Sequence, residues 1–231
     1  MDITEIKQRI HALRDEKYAA FAGKLLPGMP DGYIVGVRTP ALRSLAKEIV
    51  REGGAESFLS SLLHDCFEEN LLHAFLLAQK RMTFEESIRA VERFLPFVDN
   101  WAVCDQFVMK IFAKHADALY PYLLKWMQSN HLYTRRFGIV NSMRYFLDDK
   151  FRPSMLDDVA SAVTGDYYVR MAVAWYLATA LAKQWDAAFK YVFSGKLDST
   201  VLRMTIRKAC ESYRVSAEQK ELLKQELASF F

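Results

Sequence analysis

Five segments of this 231-residue chain can be laid over one another: those led by Asn70, Asp105, Arg136, Arg170 and Arg203, each a polar residue followed by mainly apolar helical sequence. The steps between the leading residues are 35, 31, 34 and 33, and a second, shorter helical stretch fits between successive members, at 87–97, 117–127, 155–163 and 186–193. A period in the thirties with two helices per period is the mark of stacked helical hairpins, in which each unit can bury its apolar face only against its neighbours. The fold class expected is therefore all-α, an α-α superhelix or solenoid, with 1–231 as a single repeat domain. In such an array the leading residues would line one groove, one per repeat.

The chain before the first repeat reads the same way. Residues 3–26 have helical period, with Ile6, Ile10, Leu13, Tyr18 and Phe21 on the apolar face, ended by Pro27 and Gly28. A second helix starts with Thr39 as N-cap and Pro40 in its first turn, and runs to about Glu52, where Gly53 and Gly54 break it. Beyond this, no stretch alternates as a strand does. Proline is scarce and expected at joints, at Pro96, Pro121 and Pro153.

Several classes of protein are disfavoured by composition. Three cysteines, Cys66, Cys104 and Cys210, are an odd number without CxxC spacing and read as reduced, mostly buried thiols. His73 and His115 have no partner at metal-ligand spacing, so neither a metal nor any other cofactor is expected. The charged start lacks a signal-peptide core, and the longest nearly apolar run, 171–182, is short of the ~18 residues a membrane span needs. The expectation is a cytoplasmic protein that does not enter the membrane. Net charge is only +3, but it is uneven. Up to Asn130 there are 16 Lys and Arg against 17 acids, and from His131 onward 15 against 11. The second half leans toward an anionic partner.

Two features carry chemistry. Trp101 and Asp105 stand four apart at an expected helix start and should share one face, where an aromatic face and a carboxylate can approach one cation. A core Trp beside an Asp serving the helix dipole is the alternative. Arg136, Arg170 and Arg203 recur about one repeat apart, a spacing suited to a regular polyanion. Arg135, Arg207, Lys208 and the segment Ser212-Tyr213-Arg214 add phosphate donors nearby. Each of these cations could instead be solvated or paired with acids of adjacent repeats. Trp126 and Trp185 read as packing residues, Glu68 and Glu69 as first-turn acids, and the Tyr167-Tyr168 pair either as phosphate contacts or as the cap of its repeat.

Val35-Gly36-Val37-Arg38-Thr39-Pro40 with Arg43 and Lys47, Trp101 and Asp105, Arg135-Arg136, Ala172-Val173-Ala174-Trp175, and Lys208 with Ser212-Tyr213 follow one another in an order and spacing that resembles the HEAT-like-repeat alkylpurine DNA glycosylases, the AlkD family of DNA alkylation repair enzymes. The resemblance covers nearly the whole chain. It implies a lesion-facing site of Trp101, Asp105, Arg136 and Trp175, with Asp105, Trp101 and Trp175 catalytic. It also implies hydrolysis of the N-glycosidic bond of cationic N3- or N7-alkylated purines in double-stranded DNA by a monomer, without flipping the base. The rivals are a non-catalytic repeat protein that binds branched or distorted DNA, and a protein-binding scaffold.

Overall fold

A computed structural model of the chain describes residues 1–230, and among these every regular element is helical. The fifteen α-helices are α1 Ile3–Ala12, α2 Glu16–Leu25, α3 Thr39–Arg51, α4 Ala55–Ser60, α5 Phe67–Gln79, α6 Phe84–Phe94, α7 Trp101–Gln106, α8 Ile111–Lys114, α9 Ala116–Met127, α10 Leu132–Phe146, α11 Ser154–Ala160, α12 Tyr167–Lys183, α13 Trp185–Val192, α14 Ser199–Glu211 and α15 Ala217–Phe230. Longer helices alternate with shorter ones from α10 to α14, as the repeat pattern predicts, whereas the repeat led by Asp105 has only the short α7 and α8; the fold is the α-α repeat class. The helices group into two compact units, Met1–Lys114 and His115–Phe231. No described helix is long and apolar enough to cross a membrane.

Unit 1 centres on α5, which is buried on every side from Phe67 to Leu77 and packs against α3, α4 and α7. Helix α3 turns Leu42, Leu45, Ala46 and Ile49 inward. Its N-cap is Arg38 rather than Thr39, which is already helical; Pro40 lies in the first turn and Gly53, at φ +74°, follows the C-cap, so only the start moved, by one residue. The expected single helix over 3–26 is two helices. Ile6 and Ile10 are buried, but Leu13 and Phe21 are exposed. The break follows from Asp15, whose carboxylate accepts the Tyr18 N–H at 3.0 Å as the cap of α2, and whose own N–H donates to the Gly36 carbonyl at 3.1 Å. That crossing requires glycine. A Cβ on Gly36, which has φ +96°, would lie 2.3 Å from the Asp15 carbonyl oxygen.

In unit 2, α10 packs between α9 and α12, and α12 against α14. Gly138 lets α9 and α10 touch, since a Cβ there would stand 2.8 Å from Met127 Cγ and 3.0 Å from the Leu123 carbonyl oxygen. Helix α12 is apolar nearly all round, with Val169, Val173, Tyr176, Leu177 and Leu181 fully buried. Pro121 lies inside α9 rather than at a joint. It and Asp117, whose carbonyl loses its helical N–H donor, are both exposed, so water can replace the missing bond. Cys66 and Cys104 are buried and no disulfide joins the three thiols; burial pushes the Cys66 thiol up to about 12.

Candidate functional site

In unit 1, Asn100 caps α7 by accepting the Val103 N–H at 2.9 Å, and the helix begins at Trp101 as the sequence indicates. Ala102, Val103 and Cys104 point into the core, which leaves Trp101 and Asp105, one turn apart, on the partly exposed side. The Trp101 indole is tethered by its Nε1–H to the Leu25 carbonyl at 3.1 Å. Asp105 stands in the last turn of α7 and not at the head of a long helix. Phe107, Met109 and Phe112 are all drawn into the core. The chain leaves helical geometry after Gln106 and resumes it only at Ile111.

A basic group reaches the end of this helix. The Arg43 guanidinium lies over the Phe75 ring, 4.0 Å from its centre, and reaches the Gln106 side chain at 3.4 Å. Burial lowers its pKa from the ordinary arginine value without discharging it near neutrality. The loop before α3 is gripped from α5: the fully buried Glu68 carboxylate accepts the N–H groups of Val35, Gly36 and Val37 at 2.9, 2.7 and 3.0 Å. Glu69 beside it is bridged to Lys7 at 3.2 Å and lies 3.6 Å from the ring of His64. Burial alone would raise its pKa, but His64, the Asp65 N–H and Lys7 together hold it below the usual carboxylate value. Both acids occupy the first turn of α5, as the sequence suggests. His73 is a core residue, stacked on Phe94 at 4.0 Å with 5° between the rings and 2.9 Å from His64.

The row of leading residues is not uniform. Asn70 is buried, and its Nδ2 donates to the Tyr33 hydroxyl at 2.9 Å and to Asp99 at 3.3 Å, so it does not face a groove. Arg136 has only 4% of its surface exposed, and its Nη1 donates to the Tyr168 carbonyl at 2.7 Å. Arg135 donates to the carbonyls of Ser129 and Ala162 at 2.8 and 3.1 Å. Arg203 and Arg207 are exposed on α14, Lys208 is half-buried 3.8 Å from Glu211, and Arg170 is half-buried with an Nε that meets no acceptor. Equivalent positions thus hold a buried amide, a partly exposed carboxylate, a buried guanidinium, a half-buried one and an exposed one, because each repeat fills its inward positions differently.

Trp175 is 37% exposed and lines a cleft of about 580 Å³ in unit 2. Arg144, Lys183, Lys208 and Arg214 surround it, with Glu211 the one acid on the wall, so the cleft is positive around an indole face. Lys208 and Arg214 are among the donors read from the sequence. Arg144 and Lys183 are not; Arg144 lies two turns after Arg136 on α10, the spacing that could have found it. Trp126 is core, 5.4 Å from the Phe137 ring. Among the described residues no three His, Cys, Asp or Glu side chains gather as a metal site.

The sequence model of one family, described as DNA alkylation repair enzyme, matches residues 6–213. No curated protein matches the chain.

Proposed function

From the premise that the chain belongs to the DNA alkylation repair enzyme family, we propose that it is a DNA glycosylase that hydrolyses the N-glycosidic bond of cationic N3- or N7-alkylated purines in duplex DNA. The observation that carries the reading is the pairing of Trp101 and Asp105 on the one open side of a helix whose intervening residues are buried. An alkylated purine is already a good leaving group, so no general acid is needed. The work left is to stabilise an oxocarbenium-like sugar and to place water.

In this proposal Asp105 does both. Trp101, on the same face as Asp105, packs on the deoxyribose and excludes bulk water, and Trp175 offers a second indole face to the DNA. Arg136, buried and held to the Tyr168 carbonyl, braces the start of the helix that carries Trp175 and acts on DNA binding only through that helix. Arg170, Arg203, Arg207 and Lys208, with Arg135 behind them, neutralise the backbone, so binding is salt-dependent and indifferent to sequence. The protein works as a monomer, without metal or cofactor, in the cytoplasm.

Asp105→Asn tests this. At about 4 Å and an effective dielectric near 20, opposite charges interact by roughly 4 kcal/mol. The substrate base is itself cationic, so part of that attraction precedes the reaction, and the expected loss in rate is about ten- to several hundredfold. Affinity for DNA should hold, because the lost charge is one that repels phosphate. The measurement is single-turnover release of N7-methylguanine from a duplex oligonucleotide. Equal rates exclude Asp105 as the catalytic carboxylate, and no release by the unaltered protein supports the non-catalytic DNA-binding reading instead.

A further inference from the structure

A six-residue helix makes too few internal hydrogen bonds to hold itself, so whatever fixes α7 also fixes the pose of the two residues on its open side. The buried residues at 102–104 decide which face turns inward. The position of the first turn is decided elsewhere, by a polar cluster drawn from three separated parts of unit 1. At its centre the Asp99 carboxylate accepts from the Tyr33 hydroxyl, from Asn70 Nδ2 at 3.3 Å and from Asn100 Nδ2 at 2.8 Å. Asn70 Nδ2 also donates to the Tyr33 oxygen at 2.9 Å, closing a ring of three side chains from the loop before α3, from α5 and from the turn before α7. Asn100, oriented through its amide nitrogen, presents its oxygen to the Val103 N–H as the cap. The next residue is Trp101, whose indole is tied to Leu25.

We propose that Tyr33 and Asp99 are positioning residues, which through Asn70 and the Asn100 cap set the pose of Trp101 and Asp105 toward the alkylated nucleotide. The inference rests on the glycosylase reading for its effect on rate, but not for its effect on the indole. Both residues are half-buried and held within the cluster, and their action on α7 is relayed by hydrogen bonds of 2.8–3.3 Å. Burial, with the Asp99 carboxylate beside it, pushes the Tyr33 hydroxyl above its ordinary pKa, so it stays a protonated donor across neutral pH. Such a cluster matters to chemistry because a displacement of about 1 Å in a reacting geometry can cost on the order of a hundredfold in rate.

The test uses the full chain and three variants: Tyr33→Phe, Asp99→Asn, and Val91→Ala, a core truncation in α6, a helix that supplies no side chain to the cluster. Two readouts are taken at a temperature where all are folded. The four tryptophans give four indole N–H signals in a nitrogen-15 correlation spectrum, with that of Trp101 assigned by its loss in Trp101→Phe. The second readout is single-turnover N7-methylguanine release beside the affinity for the same duplex. Expected are a shifted Trp101 signal in Tyr33→Phe and Asp99→Asn and release slowed about ten- to a hundredfold at unchanged affinity; Val91→Ala does neither. An unmoved Trp101 signal in both cluster variants, or equal slowing by Val91→Ala, overturns the proposal. If the unaltered protein releases no base, the glycosylase reading fails while the indole signal still decides whether the cluster positions Trp101.

Discussion

Glu68 in unit 1 and Arg136 in unit 2 are both ionic side chains with almost no exposed surface, and they are held in different surroundings. Glu68 gathers three consecutive backbone N–H groups of the loop at 35–37, donors that no helix or strand supplies with a partner. Arg136 reaches from one long helix to a carbonyl in the first turn of the next. The contrast extends through the units. Unit 1 has a long loop between α2 and α3 and a six-residue α7, and buried side chains of α5 reach its irregular stretches: Glu68 the loop at 35–37, Glu69 the Asp65 N–H, and Asn70 the Tyr33 hydroxyl. Unit 2 also buries polar residues, Thr134, Asn141, Ser142 and Thr205, but within its long helices, and ion pairs such as Lys150 with Asp117 and Lys183 with Asp148 sit on its surface. At Glu68 the buried charge answers unsatisfied backbone, since an orphan N–H away from water costs as much as a lost hydrogen bond; Arg136 instead ties two helices together.

The largest effect expected from this contrast is at Glu68. Glu68→Ala leaves three buried N–H groups without acceptors, and the loss of stability should be about 4 kcal/mol. Urea denaturation measures it; a loss below about 1 kcal/mol would mean that the loop reaches water and that the contrast between the units is false.

A smaller effect follows from pH. Burial, aided by the neighbouring His64 and Arg93, lowers the His73 pKa to about 3. In the unfolded chain a histidine takes up a proton near pH 6.5. Below that value the unfolded state binds a proton that folded unit 1 refuses. The contribution is therefore complete above about pH 6.5 and falls as pH drops toward 3, by about 2 kcal/mol at pH 5. His73→Phe, which keeps a ring against Phe94, should flatten this decline between pH 8 and pH 5. An unchanged slope would place the acid sensitivity outside the buried histidine.

The smallest effect belongs to the surface of unit 2. Lys150 and Asp117 meet at 2.8 Å with 44% and 80% of their side chains exposed. Lys150→Ala should change stability by about 0.5 kcal/mol or less, because solvent screens the pair. A loss comparable to that of Glu68→Ala would erase the difference between buried and exposed charge on which the comparison rests.

Much of the helical order was legible in the sequence because it rests on period and on local signals. The apolar spacing in α3 and the glycines after Glu52 mark that helix within a residue at its end. The period in the thirties identifies the successive hairpins. Asn100, Trp101 and Asp105 mark a helix start and a shared open side, and both are present in α7. What failed did so where a distant partner intervened. Nothing between Ile3 and Leu26 announces that Asp15 will stop one helix and cap another, because the Gly36 carbonyl that draws it in lies 21 positions further along.

The repeat class, the helix faces and the residue types available for a cationic substrate were determined by the sequence alone, since each depends on neighbours within a turn or two of helix. Which leading residues are buried, and what they hold, was decided by tertiary structure. Asn70 and Asp105 occupy matching places in the repeat pattern, yet Asn70 is enclosed by Tyr33 and Asp99 while Asp105 keeps an open side. The physical reason is that burial and hydrogen bonding are set by what packs across from a residue, and for Asn70 those partners, Tyr33 and Asp99, lie 37 and 29 positions away along the chain.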